Sequence, residues 1–140
     1  MIAAGKIAEE LGGKKILHRN IKSFSDLRDT VENGLPKASM KYVFRSFPES
    51  NKYVYSLIPE GTYKKRKSTL SLEESEKTER IARVIATANY VWDDEEVAKQ
   101  FLLRPHAYFK NRTPLEIAFS ELGARQVEEL LWKIYYGLPV

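Results

Sequence analysis

Residues 71–92 read SLEESEKTERIARVIATANYVW, and the way this stretch folds decides how the rest of the chain is organised. Ser71 with Glu74 three residues on has the spacing of a capping box, in which hydroxyl and carboxylate each satisfy one orphan N–H of a helix start. Ile81, Val84, Ile85, Ala88, Val91 and Trp92 then recur at the spacing of one helix face, which predicts a single amphipathic helix ending near Trp92. Its first turns are charged and expected to be exposed. At ~1.5 Å per residue it spans about 30 Å, enough to leave one lobe and enter a second. The boundary falls near residues 68–75, which gives an N-terminal lobe over residues 1–70 and a C-terminal lobe over residues 71–140.

Downstream, Asp93 with Glu96 is expected to cap a helix that buries Val97, Ala98, Phe101 and Leu102 and stops before Pro105. Residues 104–110 read as a loop. Thr113, Pro114 and Glu116 combine an N-cap, a proline at N1 and a glutamate at N3. From there Leu115, Ala118, Phe119 and Leu122 are expected to point inward until Gly123 ends that helix. The final helix carries an apolar stripe of Val127, Leu130, Leu131 and Ile134, while Trp132, Tyr135 and Tyr136 occupy a different face. Gly137 suits a helix C′ position and Pro139 prevents resumption, so Leu138, Pro139 and Val140 are expected to project as a short apolar finger bearing a carboxylate. An exposed aromatic face with such a finger fits a pocket on another protein.

Upstream, residues 2–11 predict a short helix ended by Gly12 and Gly13, and residues 14–21 a connector whose Ile16, Leu17 and Ile21 are candidates for pairing two copies. Ser23 with Asp26 caps a helix burying Phe24, Leu27 and Val31, which stops at Asn33-Gly34. Leu35-Pro36 opens the next, with Met40, Val43, Phe44 and Phe47 inward. Ser46 and Glu49 have capping-box spacing around Pro48, so a helix starting there is expected to carry Val54, Leu57 and Ile58 to the break at Pro59. A further short helix then holds Thr62, Tyr63, Lys64, Lys65, Arg66 and Lys67. Short helix, turn, short helix is helix-turn-helix geometry. The cations are expected to meet DNA phosphates, with Glu60, Thr62 and Tyr63 placed for base edges.

Charge divides along the same line. Of the 23 Lys+Arg and 19 Asp+Glu, residues 1–67 hold 14 and 7, a balance of +7, and residues 68–140 hold 9 and 12, a balance of −3. A basic half suits a polyanion and an acidic, aromatic half a protein. Without cysteine, and with His18 and His106 far apart, neither disulfides nor a metal site are expected. No apolar run reaches the ~18 residues of a membrane span, and Lys6, Glu9 and Glu10 interrupt the start too early for a signal peptide, so a cytoplasmic protein is expected. Phosphate loops, nucleophile elbows and zinc helices are absent from the sequence, and no enzyme activity or cofactor is expected. No convincing strand is present, so the fold class is all-α in two lobes.

Taken together, Leu11-Gly12-Gly13, Gly34-Leu35-Pro36, Ile58-Pro59 with residues 62–66, residues 70–75, Arg112-Thr113-Pro114-Leu115, Gly123-Ala124 with residues 127–131, and Tyr136-Gly137 resemble the Xre/MbcA/ParS antitoxins over nearly the whole chain. The match is more specific from about Arg80 onward. It departs from the family pattern at Glu60-Gly61, where basic residues are expected. The resemblance implies a type II antitoxin whose N-terminal lobe binds its operator and whose C-terminal lobe neutralises a RES-domain toxin that consumes NAD or transfers ADP-ribose. Thr62, Tyr63, Lys64, Lys65, Arg66 and Lys67 would then be the DNA-binding set. Arg112, Trp132, Tyr135, Tyr136, Gly137, Leu138, Pro139 and Val140 would be the toxin-binding set, with Arg112 on the same rim as the finger. A homodimer on two half-sites is expected. The other reading of the same features is a stand-alone helix-turn-helix regulator that homodimerises through its C-terminal lobe.

Overall fold

The computed structural model describes residues 1–140 and is all-helical. Ten α-helices follow in order: α1 Ala4–Glu10, α2 Gly13–Leu17, α3 Phe24–Glu32, α4 Lys37–Val43, α5 Ser50–Leu57, α6 Glu60–Lys65, α7 Leu72–Trp92, α8 Glu95–Leu103, α9 Pro114–Ile117 and α10 Glu121–Tyr135. A single 3-10 turn, Ala107–Phe109, lies between α8 and α9. Extended pairing is limited to two isolated bridges, Pro36 with Thr69 and His106 with Arg112.

The long helix forms as its sequence dictates. The Ser71 hydroxyl accepts from the Glu74 N–H at 3.2 Å and the Glu74 carboxylate accepts from the Ser71 N–H at 2.9 Å. Ile81, Val84 and Ala88 are fully buried beneath it. Its first turns, however, are not a charged exposed stalk, because Glu74, Ser75 and Thr78 are buried. The reason is tertiary: the Ser75 hydroxyl accepts from the Leu35 N–H at 2.9 Å, and Glu74 takes two hydrogen bonds from Arg66. A polar group taken out of water must find a partner, and here both partners arrive from the N-terminal part. Helices α1, α3, α4, α5, α8 and α10 all pack on α7. The buried apolar side chains therefore form one continuous core from Ile2 to Leu131.

Helix boundaries moved wherever packing overrode local signals. Gly13, expected to end the first helix, and residues 14–17, expected within a connector, form α2, which buries Leu17 and ends at His18 in the left-handed conformation, φ 60°. Leu17 is thus a core residue and not free to pair two copies. Phe24, expected inward, is 45% exposed. No capping box forms at Ser46: Glu49 sits at φ 55° ahead of α5 with no side-chain cap. Phe47 is instead drawn into a cluster with Phe44 and Tyr53, ring centroids 6.1 Å from each, and this aromatic packing sets the turn.

Asp93 closes α7 in the left-handed conformation at φ 51°, so the capping role passes to Asp94, whose carboxylate accepts from the Val97 N–H at 3.0 Å. Val97, expected inward, is exposed. Gly123 does not end a helix. The one-turn α9 stops at Ile117, Ser120 caps α10, and Gly123 lies in the first turn of α10 with its N–H 3.0 Å from the Ser120 hydroxyl. A Cβ at this position would lie 1.8 Å from the Ile117 carbonyl oxygen, so glycine is what lets the two backbones approach. Leu122, expected inward, is consequently 72% exposed.

Candidate interaction surfaces

Two surfaces of opposite character stand out, and each is assembled by α7. At the C-terminal end, Val127, Leu130 and Leu131 are fully buried and anchor α10 against α7, each contributing about 1.5–3 kcal/mol by removing its side chain from water. That anchoring turns the other face of α10 outward. Trp132, Tyr135 and Tyr136 meet there with ring centroids 5.0–6.2 Å apart. The structure adds a fourth ring. Tyr90 of α7 lies 5.8 Å from Trp132 and 5.5 Å from Tyr135, and the Tyr90 and Tyr135 hydroxyls are 3.5 Å apart. That contact holds the Tyr135 phenol above its ordinary value. Tyr90 escapes sequence periodicity because its partners are 42 and 45 residues away. Its one local signal is that it falls off the apolar stripe of α7.

The chain beyond α10 leaves the helix through paired carbonyl closures. Gly137, at φ 67°, donates its N–H to the Ile134 carbonyl at 3.1 Å, and Leu138 donates to the Lys133 carbonyl at 2.8 Å. This is the Schellman arrangement, and it directs the following residues away from the helix axis. Tyr136, Leu138 and Val140 remain 67%, 54% and 63% exposed. Rather than folding onto the core, the end of the chain extends the aromatic face. Arg112 is elsewhere. It shares a groove of about 890 Å³ with Lys52, Leu122 and Gln126 at the beginning of α10. Of α10 that groove takes in only Leu122, Gly123 and Gln126, and none of residues 132–140 lines it.

The basic surface surrounds Tyr63. This tyrosine points inward and is 5% exposed, packed against Tyr55 at 6.1 Å, with the Lys37 ammonium 4.5 Å and the Lys41 ammonium 5.6 Å from its ring centroid. Burial raises its phenol above the ordinary value. A ring so placed organises cations and does not itself reach a base edge. Helix α6 ends at Lys65, so Arg66 and Lys67, expected within it, lie beyond it. Arg66 is committed: its guanidinium grips both Glu74 oxygens at 2.9 and 2.8 Å, a bidentate pair that holds the Glu74 carboxyl below the ordinary range. Lys37 donates to the Arg66 carbonyl at 3.1 Å, which fixes the chain leaving α6 against α4. Thr62 is half-buried, Lys64 is exposed and 3.6 Å from Glu60, and Lys65 and Lys67 are exposed without an ion-pair partner. Lys37 and Lys41, on a different helix, join this surface through Tyr63, a grouping invisible to sequence spacing.

No group of three or more His, Cys, Asp or Glu side chains converges as a metal site, and no helix is long and apolar enough to cross a membrane.

Comparison with known proteins bears on the aromatic surface. Residues 87–137 match the family model described as "Antitoxin Xre/MbcA/ParS C-terminal toxin-binding domain". A Pseudomonas putida protein named "Antitoxin Xre" is 33% identical over 84 residues, which cover 58% of this chain and 53% of that protein. The chain thus spans about half the length of the curated relative it matches.

Proposed function

Because residues 87–137 match the toxin-binding domain of the Xre/MbcA/ParS antitoxins, we propose that the chain is the antitoxin of a toxin–antitoxin pair. On this reading the toxin is a RES-domain protein that degrades NAD or transfers ADP-ribose, and the end of α10 with its finger closes that toxin's active site. The observation that carries it is the tetrad of half-buried Trp132 with exposed Tyr90, Tyr135 and Tyr136, continued by the finger at Leu138, Pro139 and Val140. Large rings on a well-packed helix are preorganised anchors, and a proline-stiffened finger loses little entropy on docking. The matched segment contains the tetrad and Gly137, which supports assigning toxin contact here. Neutralisation by occlusion asks for no catalysis or cofactor from this chain. Nothing groups Arg112 with this face, so its expected part in toxin binding would run through the separate groove beside α5.

The experiment is co-expression with the product of the adjacent reading frame. A chain ending at Tyr136 is expected to retain wild-type helicity and to lose protection of cells, with any residual complex leaving the toxin active. Full inhibition by that shortened chain would make the finger passive and leave the aromatic rings as the sole block.

We further propose that the N-terminal part, residues 1–70, binds operator DNA as a helix-turn-helix, with α5 and α6 as its helices and two copies on paired half-sites. The carrying observation is that Lys37 and Lys41 of α4 sit on the Tyr63 ring of α6, the helix that also carries the exposed Lys64 and Lys65, with exposed Lys67 just beyond it. Lys65→Ala with Lys67→Ala removes two unpaired cations without disturbing the Arg66–Glu74 grip. The logarithmic salt dependence of duplex binding should become shallower by about 0.9 per lost phosphate contact, or about 1.8 for the pair. An unchanged slope in gel shifts across a salt series would place the DNA elsewhere. If DNA and no second protein co-purifies with the chain, the stand-alone regulator is the better reading.

A further inference from the structure

Tyr90 has two sides. One faces the aromatic tetrad; the other forms a wall of a recess of about 290 Å³ at the corner where α7 meets α8, shared with Lys6, Glu9, Asp93, Asp94 and Glu95. At that volume the recess lies at the lower end of ligand pockets, about 300 Å³, and has room for an arginine or lysine side chain. Glu9, Asp93, Asp94 and Glu95 are all exposed, and none is within ion-pair distance of a cation. Lys6 is the one positive side chain lining the recess.

Resting on the toxin-binding reading above, we propose that the protein seated on the aromatic face presents arginine or lysine side chains, one of which enters the recess between Tyr90 and Asp93. The physical reason is that the two features adjoin: Tyr90 packs on Trp132 and Tyr135 and also lines the recess, so a partner seated on Tyr90 lies beside the carboxylates. Covering unpaired carboxylates with neutral atoms strips their water and returns nothing, a desolvation penalty that opposes binding. A guanidinium or ammonium offsets that penalty through charge-assisted hydrogen bonds, and the face of Tyr90 adds an attraction of its own for a cation. The balance of −3 over residues 68–140 acts in the same direction at longer range.

The test uses the complex with the co-expressed toxin and the paired substitution Asp93→Asn with Glu95→Gln. Asp94 is left in place because it caps α8. Asparagine tolerates the left-handed backbone at residue 93, φ 51°, so the variant keeps its fold, checked by circular dichroism. Expected is an affinity for the toxin about tenfold weaker at low salt, with the gap to wild type narrowing as salt is raised. Asp93→Glu should restore most of it. Equal affinity of wild type and the paired variant at low salt would overturn the inference while leaving the toxin-binding reading intact. Absence of any complex with the wild-type chain would remove that reading and this inference together.

Discussion

Replacing Gly123 by alanine is expected to lower the unfolding temperature by about 10 °C. The added methyl would lie 1.8 Å from the Ile117 carbonyl oxygen and 2.8 Å from its carbon. Both are backbone atoms held by the α9 turn, so neither can swing aside as a side chain would. Overpacking of this kind costs about 3 kcal/mol, and a domain of this size loses about 2–4 °C for each. The same substitution at Gly61, which sits in α6 with nothing within 4 Å of its added Cβ, is expected to stabilise by about 0.5–1 kcal/mol by restricting the unfolded chain. Thermal melts of the two variants side by side make the comparison. Wild-type melting of Gly123→Ala would mean that α9 and α10 separate more easily than their packing indicates.

Arg83→Ala should be nearly as damaging at neutral pH and distinctly less so in mild acid. The Arg83 guanidinium lies between three carboxylates, 2.7 Å from Glu128, 3.1 Å from Glu79 and 3.7 Å from Glu121, and joins α7 to the start of α10. Its side chain is 22% exposed, so removal leaves poorly solvated negative charges facing one another and costs about 2–3 kcal/mol, below the range for a fully buried pair. Burial already pushes the Glu79 carboxyl above its ordinary value, and the neighbouring Glu128 and Glu121 push it further, with Arg83 opposing them. A carboxyl whose folded pKa is raised contributes stability that is complete below its unfolded value and fades as the pH climbs through the folded one. Without Arg83 that rise is larger, so the deficit of the variant should shrink between roughly pH 7 and roughly pH 5. Urea midpoints at the two pH values decide it. A deficit of equal size at both would show that Arg83 acts through packing of its stem and not through charge.

What the sequence disclosed and what it withheld follow one physical division. The bounds of α7, the Thr113–Glu116 box and the glycine closure at residue 137 were legible because capping and left-handed turns are settled within four residues of chain. The inward stripe of α10 was legible for a similar reason, since helical periodicity is a local property. Gly123 was misread because its role is set by a carbonyl six residues earlier, brought back by the tight α9 turn. Tyr63 looked like a reader of bases until its ring proved to be the post on which Lys37 and Lys41 rest, 26 and 22 residues away. Arg66 counted as a free cation until Glu74 took it. Likewise, the aromatic face was visible as three rings of α10, but Tyr90 joins it only through tertiary packing. Distance in sequence, not chemical obscurity, hid each of these.

The shared rod has a consequence for how long the protein lasts in a cell. With α7 carrying the Arg66 clamp near one end and Tyr90 near the other, and with one core around it, opening either end disturbs buried surface that the other shares. A protease that cuts only opened chain therefore samples a global event. Any ligand on one surface lowers the frequency of that event for the whole chain, by RT ln(1 + [L]/Kd). DNA held at the basic surface would thus lengthen the lifetime of the aromatic one, though the two share no contact. The half-life of the chain would then report how many of its sites are occupied.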